Sequence, residues 1–94
     1  MTEPASLETR RKAIRIRAWR RGMREMDILI GSFVDARLDG LDARDVGDLE
    51  KLLDAPDQQA FAWLTGAETP PAHWDTPVFR KIVEFHRHDS PLHL

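Results

Sequence analysis

The densest run of groups able to do chemistry is Arg20-Arg21-Gly22-Met23-Arg24-Glu25-Met26-Asp27, which sets three guanidinium groups and two carboxylates around one glycine. Glycine accepts backbone conformations closed to other L residues, so a chain can reverse sharply there. Arginines ending one helix and carboxylates opening the next complement both helix dipoles. Arg21 and Glu25 are spaced to pair across such a turn. Arg20, Arg21, Arg24 and Asp27 go beyond what capping needs. Met23 is an adaptable apolar side chain expected to stand exposed, and Trp19 sits one turn earlier. Arginine beside tryptophan is the composition of a protein-contact hot spot. Acid–base chemistry by paired carboxylates is a poorer fit, because Glu25 and Asp27 leave a helix on different faces.

The other reactive groups form no constellation. His86 and His88 diverge by about 200° on a helix, and neither they nor His93 have a cysteine or an HExxH pattern to complete a metal site. His73-Trp74-Asp75 lacks a nucleophile in view. Phe61 and Trp63 read as core aromatics rather than a ligand cage. No glycine-rich phosphate cradle opens a helix, so the chain is not expected to hold a nucleotide cofactor by itself. There is no cysteine to act as nucleophile, disulfide partner or thiolate ligand. These readings give a protein with no catalytic residue and no metal.

The elements that would position the corner read as five helices and no strand. Ser6 is an N-cap for a first helix over about Leu7 to Arg21, with Leu7, Ile14 and Ala18 as a narrow apolar stripe. Gly22 follows as the residue type suited to a left-handed C′ position. A second helix is expected from Met23 to Asp39, with Met26, Leu29, Ile30, Phe33, Val34 and Leu38 inward and Gly40 as its stop. Gly31 inside it costs about 1 kcal/mol relative to alanine, which marks a close approach. The third runs from Asp42 to near Asp54 on Val46, Leu49, Leu52 and Leu53. Pro56 fits position N1 of a fourth helix with Phe61 and Leu64 inward, and Gly66 closes it. After a loop containing Pro70-Pro71, Thr76-Pro77 caps a fifth helix to about His88, with Val78, Ile82, Val83 and Phe85 inward. The expected architecture is an all-α, single-domain five-helix bundle over 1–94, with a core from about 7 to 88 and flexible ends at 1–5 and 89–94.

Composition agrees. Ninety-four residues with 41% hydrophobic and 32% charged side chains suit one small globular domain. No apolar run approaches the roughly 20 residues of a membrane span. The net charge of −2 conceals a polarity: residues 1–24 hold eight Lys/Arg against two Asp/Glu, and 25–68 hold three against eleven. Either the basic helix lies against the acidic helices of its own fold, or it meets an external acidic surface.

Arg21-Gly22-Met23-Arg24-Glu25, preceded by Arg20 and followed by Asp27, resembles the Arg-Gly-x-x-Glu signature of the succinate dehydrogenase assembly factors. A second stretch agrees: Leu52-Leu53-Asp54-Ala55-Pro56-Asp57 followed by Phe61-Ala62-Trp63-Leu64. The resemblance spans about residues 7–88. The departures are Ala55, where the family often has an acidic residue, the absence of tyrosine, and the loop with Pro70, Pro71 and Trp74. The resemblance implies a chaperone of five helices that promotes covalent FAD attachment to the flavoprotein subunit of the dehydrogenase. It implies that a histidine of that subunit makes its own bond to the 8α-methyl carbon of FAD, while the assembly factor holds the flavin and capping domains in position. By the same resemblance Gly22 permits close approach, Arg21 and Glu25 make the charged contacts, and Arg20, Met23 and Asp27 frame them; Arg24 completes the expected client-binding set.

The competing reading is a nucleic-acid-binding module, in which Arg10, Arg11, Lys12, Arg15, Arg17, Arg20, Arg21 and Arg24 track phosphates. The acidic middle of the chain and the lack of a helix-turn-helix pair weigh against it. The expectation is therefore a protein of the bacterial cytoplasm, monomeric when free. Its client is the succinate dehydrogenase flavoprotein, with fumarate reductase as a further candidate. The setting follows from a start that lacks a secretory signal or an Arg-rich transit segment.

Overall fold

The computed structural model describes residues 6–89, with side chains through Arg87. The described residues form five α-helices and no strand: α1 Leu7–Ala18, α2 Arg24–Arg37, α3 Ala43–Leu53, α4 Asp57–Thr65 and α5 Pro77–Glu84. Three of the five begin at side-chain caps. Ser6 accepts from the Thr9 N–H at 3.1 Å, Asp42 from that of Asp45 at 2.8 Å, and Thr76 from that of Phe79 at 3.2 Å. Each cap satisfies an N–H that the first helical turn cannot.

The centre is α2, whose Met26, Leu29, Ile30, Phe33 and Val34 are all buried. It packs against α1, α4 and α5, while α3 bridges α1 and α5. Helix α1 contributes only Ile14 and Ala18 to the core, so its remaining faces are polar or open. Phe33 meets Phe85 edge to face at 5.7 Å, joining α2 to the end of α5.

Several boundaries differ from the sequence reading. Helix α1 stops at Ala18 rather than Arg21, because the N–H groups of Trp19 and Arg20 tighten onto the Ile16 and Arg17 carbonyls. The Arg21 N–H is then taken by the Asp27 carboxylate at 3.0 Å, which removes it from the helix ladder. Gly22 does carry a positive φ, +89°, but it lies within the corner and not at the C′ position of α1. Met23 caps α2 from outside it, and α2 gives way at Leu38–Gly40 to a 3₁₀ turn. Pro56 is the residue before α4 and not its first, so Asp57 opens the helix. Phe61 is only half-buried, and Ala60 holds the inner position beside Trp63 and Leu64. Phe79 is buried too, where the sequence reading had left it out. Helix α5 widens after Glu84 into a π-turn over Phe85–Asp89, where the His86 ring reaches the Leu29 carbonyl at 2.6 Å. In the loop before α5, Ala72–Trp74 forms a 3₁₀ turn that lays Trp74 on Trp63, 5.5 Å between ring centres. Of the flexible ends expected at 1–5 and 89–94, Asp89 closes the π-turn while 1–5 and 90–94 lie outside the described residues, as do His93 and the His88 side chain.

The charge polarity is largely internal. Arg10 pairs with Glu50, Arg15 with Asp39 and Arg17 with Asp54, each at 2.6 Å, so basic α1 lies on acidic α3 and the turn before it. Arg11 donates to the Leu41 carbonyl at 2.6 Å. A phosphate-tracking helix would need these guanidinium groups free.

Gly31 is where α1's end meets α2. A Cβ there would lie 2.4–2.8 Å from three atoms of the Trp19 indole, whose Nε1 donates to Asp35 at 3.3 Å. The ring therefore lies flat on the backbone of α2. Replacing Gly31 by alanine should improve helix propensity yet displace the indole. Overpacking of this kind costs about 1–3 kcal/mol, so Gly31→Ala should lower the melting temperature in circular dichroism. An unchanged or raised melting point would contradict this packing.

Candidate functional site

The corner between α1 and α2 is built by Arg21, Gly22 and Asp27 together. Two N–H···O bonds that reach back three residues end α1, Gly22 reverses the chain, and Asp27, one turn into α2, reaches back to the Arg21 N–H. Nothing lies within 4 Å of where a Gly22 Cβ would be. The elbow is thus open on the outside, and the positive φ alone makes glycine necessary there.

Arg21 turns the other way. Its side chain is only 8% exposed and lies in the turn between α3 and α4. Nε donates to Asp57 Oδ1 at 2.8 Å, one terminal nitrogen donates to the Leu53 carbonyl, and the other to the Ala55 carbonyl at 3.0 Å. Leu53 ends α3, and Asp57 opens α4. One cation therefore satisfies carbonyls at the negative end of α3 and the first-turn carboxylate of α4. The expected pairing of Arg21 with Glu25 is not formed. A partner within the fold captures the guanidinium, and Glu25 is left exposed in the first turn of α2.

The site residues proposed from sequence accordingly separate into three groups. Arg20, Gly22, Arg24 and Glu25 are exposed; Arg21 and Asp27 are engaged in holding the corner; and Met23 is half-buried against the core rather than exposed. Asp57 and the Leu53 and Ala55 carbonyls escaped the sequence reading as partners of the corner. The signal available was only a lone arginine after a helix and a lone carboxylate after a proline, 36 residues apart.

Ionisation shifts fall elsewhere. Hydrogen bonding to Glu50 raises Arg10, and burial opposes this in part. Hydrogen bonding to Arg80 holds the Asp75 carboxyl below the usual range, with burial opposing and the Arg80 charge assisting. No cluster of three or more metal-ligating side chains occurs among the described residues, and none of their helices is long and apolar enough to cross a membrane.

The sequence profile of the family described as flavinator of succinate dehydrogenase matches residues 12–86, a span that includes both the corner and the α3–α4 turn that braces it. The chain belongs to this flavinator family. Among its relatives, a protein named FAD assembly factor SdhE from Acetobacter pasteurianus is 40% identical over 79 residues, covering 84% of this chain and 72% of its own length. The mitochondrial succinate dehydrogenase assembly factor 2 of Dictyostelium discoideum is 32% identical over 90 residues, 96% of this chain and 63% of that protein. The corresponding protein of Cryptococcus neoformans is 30% identical over 74 residues, of which the chain spans 42% of the full length. The chain is therefore shorter in reach than its mitochondrial flavinator relatives.

Within this flavinator, the arginine of the Arg-Gly-x-x-Glu run carries part of the fold. Removing it leaves two carbonyls and a carboxylate without their donor. Loss of one member of such a pair costs about 3 kcal/mol when buried, and somewhat less here because Asp57 is partly exposed. Arg21→Ala should therefore shift the urea midpoint strongly downward, with Arg21→Lys in between because lysine lacks the planar fork. Glu25→Ala should leave the midpoint nearly unchanged. Equal stability of the Arg21 and Glu25 variants would contradict this division.

Proposed function

We propose that the protein binds the flavoprotein subunit of succinate dehydrogenase through the Arg20–Asp27 corner and promotes covalent FAD attachment to it. The observation that carries the reading is the open elbow at Gly22, lying inside the span matched by the flavinator family. A turn with no side chain on its outer face admits a partner's backbone or cofactor-bearing loop at close range. Arg20, Arg24 and Glu25 stand exposed around it and offer that partner charges of both signs. Arg21 and Asp27 act from behind as positioning residues, keeping the elbow in one conformation.

FAD supplies the redox chemistry in the client when bound there. This chain has no glycine-rich loop to hold a dinucleotide and no cysteine nucleophile, and the corner's most buried cation is already committed to the α3–α4 turn. We read it as a non-catalytic chaperone whose contribution is orientation. The same reading includes fumarate reductase flavoprotein as a second client, a bacterial cytoplasmic setting and a monomeric free state. Monomer formation is supported by a core that closes within one chain and leaves just two large apolar residues exposed among those described.

The nucleic-acid alternative is disfavoured by the internal pairing of Arg10, Arg15, Arg17 and Arg21.

The direct test is Gly22→Val in cells expressing the client. A β-branched residue at this φ costs about 1–3 kcal/mol of backbone strain and places a side chain on the outer face of the elbow. Covalent flavin on the client, read by in-gel fluorescence, should fall to the level seen without the assembly factor, while the purified variant keeps its helical spectrum. Glu25→Ala, which carries no strain, should lower flavinylation without moving the melting point. Normal flavinylation in both variants would refute the proposal.

A further inference from the structure

Between Arg10 and Arg24 most of the cations are used internally: Arg10, Arg15, Arg17 and Arg21 in ion pairs, and Arg11 on a backbone carbonyl. Lys12, Arg20 and Arg24 are exposed and have no ion-pair partner among the described residues. Lys12 and Arg20 do not stand alone. Ile16, at 57% exposure, and Trp19, at 43%, are the two large hydrophobic residues left exposed among those described; the Trp19 ring rests on α2, while Ile16 lies between Lys12 and Arg20 in the chain. Lys12 and Ile16 stand one helical turn apart on α1, and Arg20 follows two residues past its end. Beside Ile16 runs a groove of about 370 Å³ lined by Ile16, Arg17, Arg20, Arg21, Leu53 and Asp57. It is continuous with the corner through Arg20 and Arg21.

We propose that this patch and groove extend the client-docking surface beyond the corner. The flavoprotein subunit seats an apolar side chain between Ile16 and Leu53 and places carboxylates opposite Lys12 and Arg20. The proposal rests on the reading of the corner as the client contact and names the chemistry the client must present next to it. Charge selects the occupant. A second copy docking by two-fold symmetry would set this cation-bearing patch against the same patch, an arrangement that like-charge repulsion opposes. An acidic partner surface with an apolar centre meets both features at once. Ile16 is outside the buried core, so its side chain can be changed without opening a core cavity.

The test is calorimetric titration of the purified, flavin-loaded flavoprotein subunit with the full chain at low and high salt, using Ile16→Glu, Lys12→Glu and Gly22→Val. Ile16→Glu should weaken binding about tenfold or more, as removal of an interface anchor does, with unchanged circular dichroism and melting point. Lys12→Glu should weaken binding at low salt and flatten its salt dependence. Unaltered affinity in Ile16→Glu, alongside loss in Gly22→Val, would overturn the extended surface and leave the corner reading standing. Loss in Ile16→Glu with full affinity in Gly22→Val would keep this surface and remove the corner. If Ile16→Glu alters only the sedimentation of the free protein, the patch is a self-association face and the proposal fails. No binding by the unchanged chain would overturn both readings.

Discussion

The guanidinium of Arg21 occupies a place where three electron-rich groups converge: the carbonyls of Leu53 and Ala55 at the end of α3, and the carboxylate of Asp57 at the start of α4. Without a cation there, the free carbonyls after α3 would face the Asp57 carboxylate with no donor between them. Because that cation comes from the α1–α2 corner, the corner and the α3–α4 turn cannot move independently. Asp27 adds a second restraint by holding the Arg21 N–H. The exposed glycine elbow is therefore a stiff feature supported from within, as a docking point needs to be if it is to position a partner rather than merely touch it.

Internal charge pairing also decides which cations face outward. Helix α1 is too polar to anchor itself by burial, with only Ile14 and Ala18 in the core. Its attachment relies on a row of arginines laid against acidic residues of α3 and the adjoining turns. Partly exposed pairs of this kind are individually weak, but together they orient the helix about its axis. That orientation presents Lys12, Ile16 and Arg20 to the outside and turns Ile14 inward. The Trp19 indole against Gly31 fixes the same helix end on the α2 side.

Much of the architecture was legible before the fold. The caps at Ser6 and Thr76, the start of α3 at Asp42, the stop at Gly66 and the close approach at Gly31 all act through groups within a turn or two of themselves, or through the absence of a Cβ. The apolar stripes of α2 and α3 read directly as core. The corner stood out as a candidate site because its residue types are concentrated in eight consecutive positions. What failed were the assignments that depended on competition. Arg21 appeared paired with Glu25 because nothing nearby in the chain competes for it, and Met23 appeared exposed because the core that half-covers it belongs to other elements.

Helix type, number and order follow from local propensity, capping and periodicity, all of which operate over about four residues and are written in the chain itself. The division of the corner into bracing and outward-facing groups follows instead from packing. The Arg21–Asp57 pair joins residues 36 positions apart, and the widening of α5 at Phe85 answers to Phe33 and Leu29 across the core. A charged side chain takes the best-desolvated partner within reach, and reach is a property of the assembled helices, not of separation along the chain.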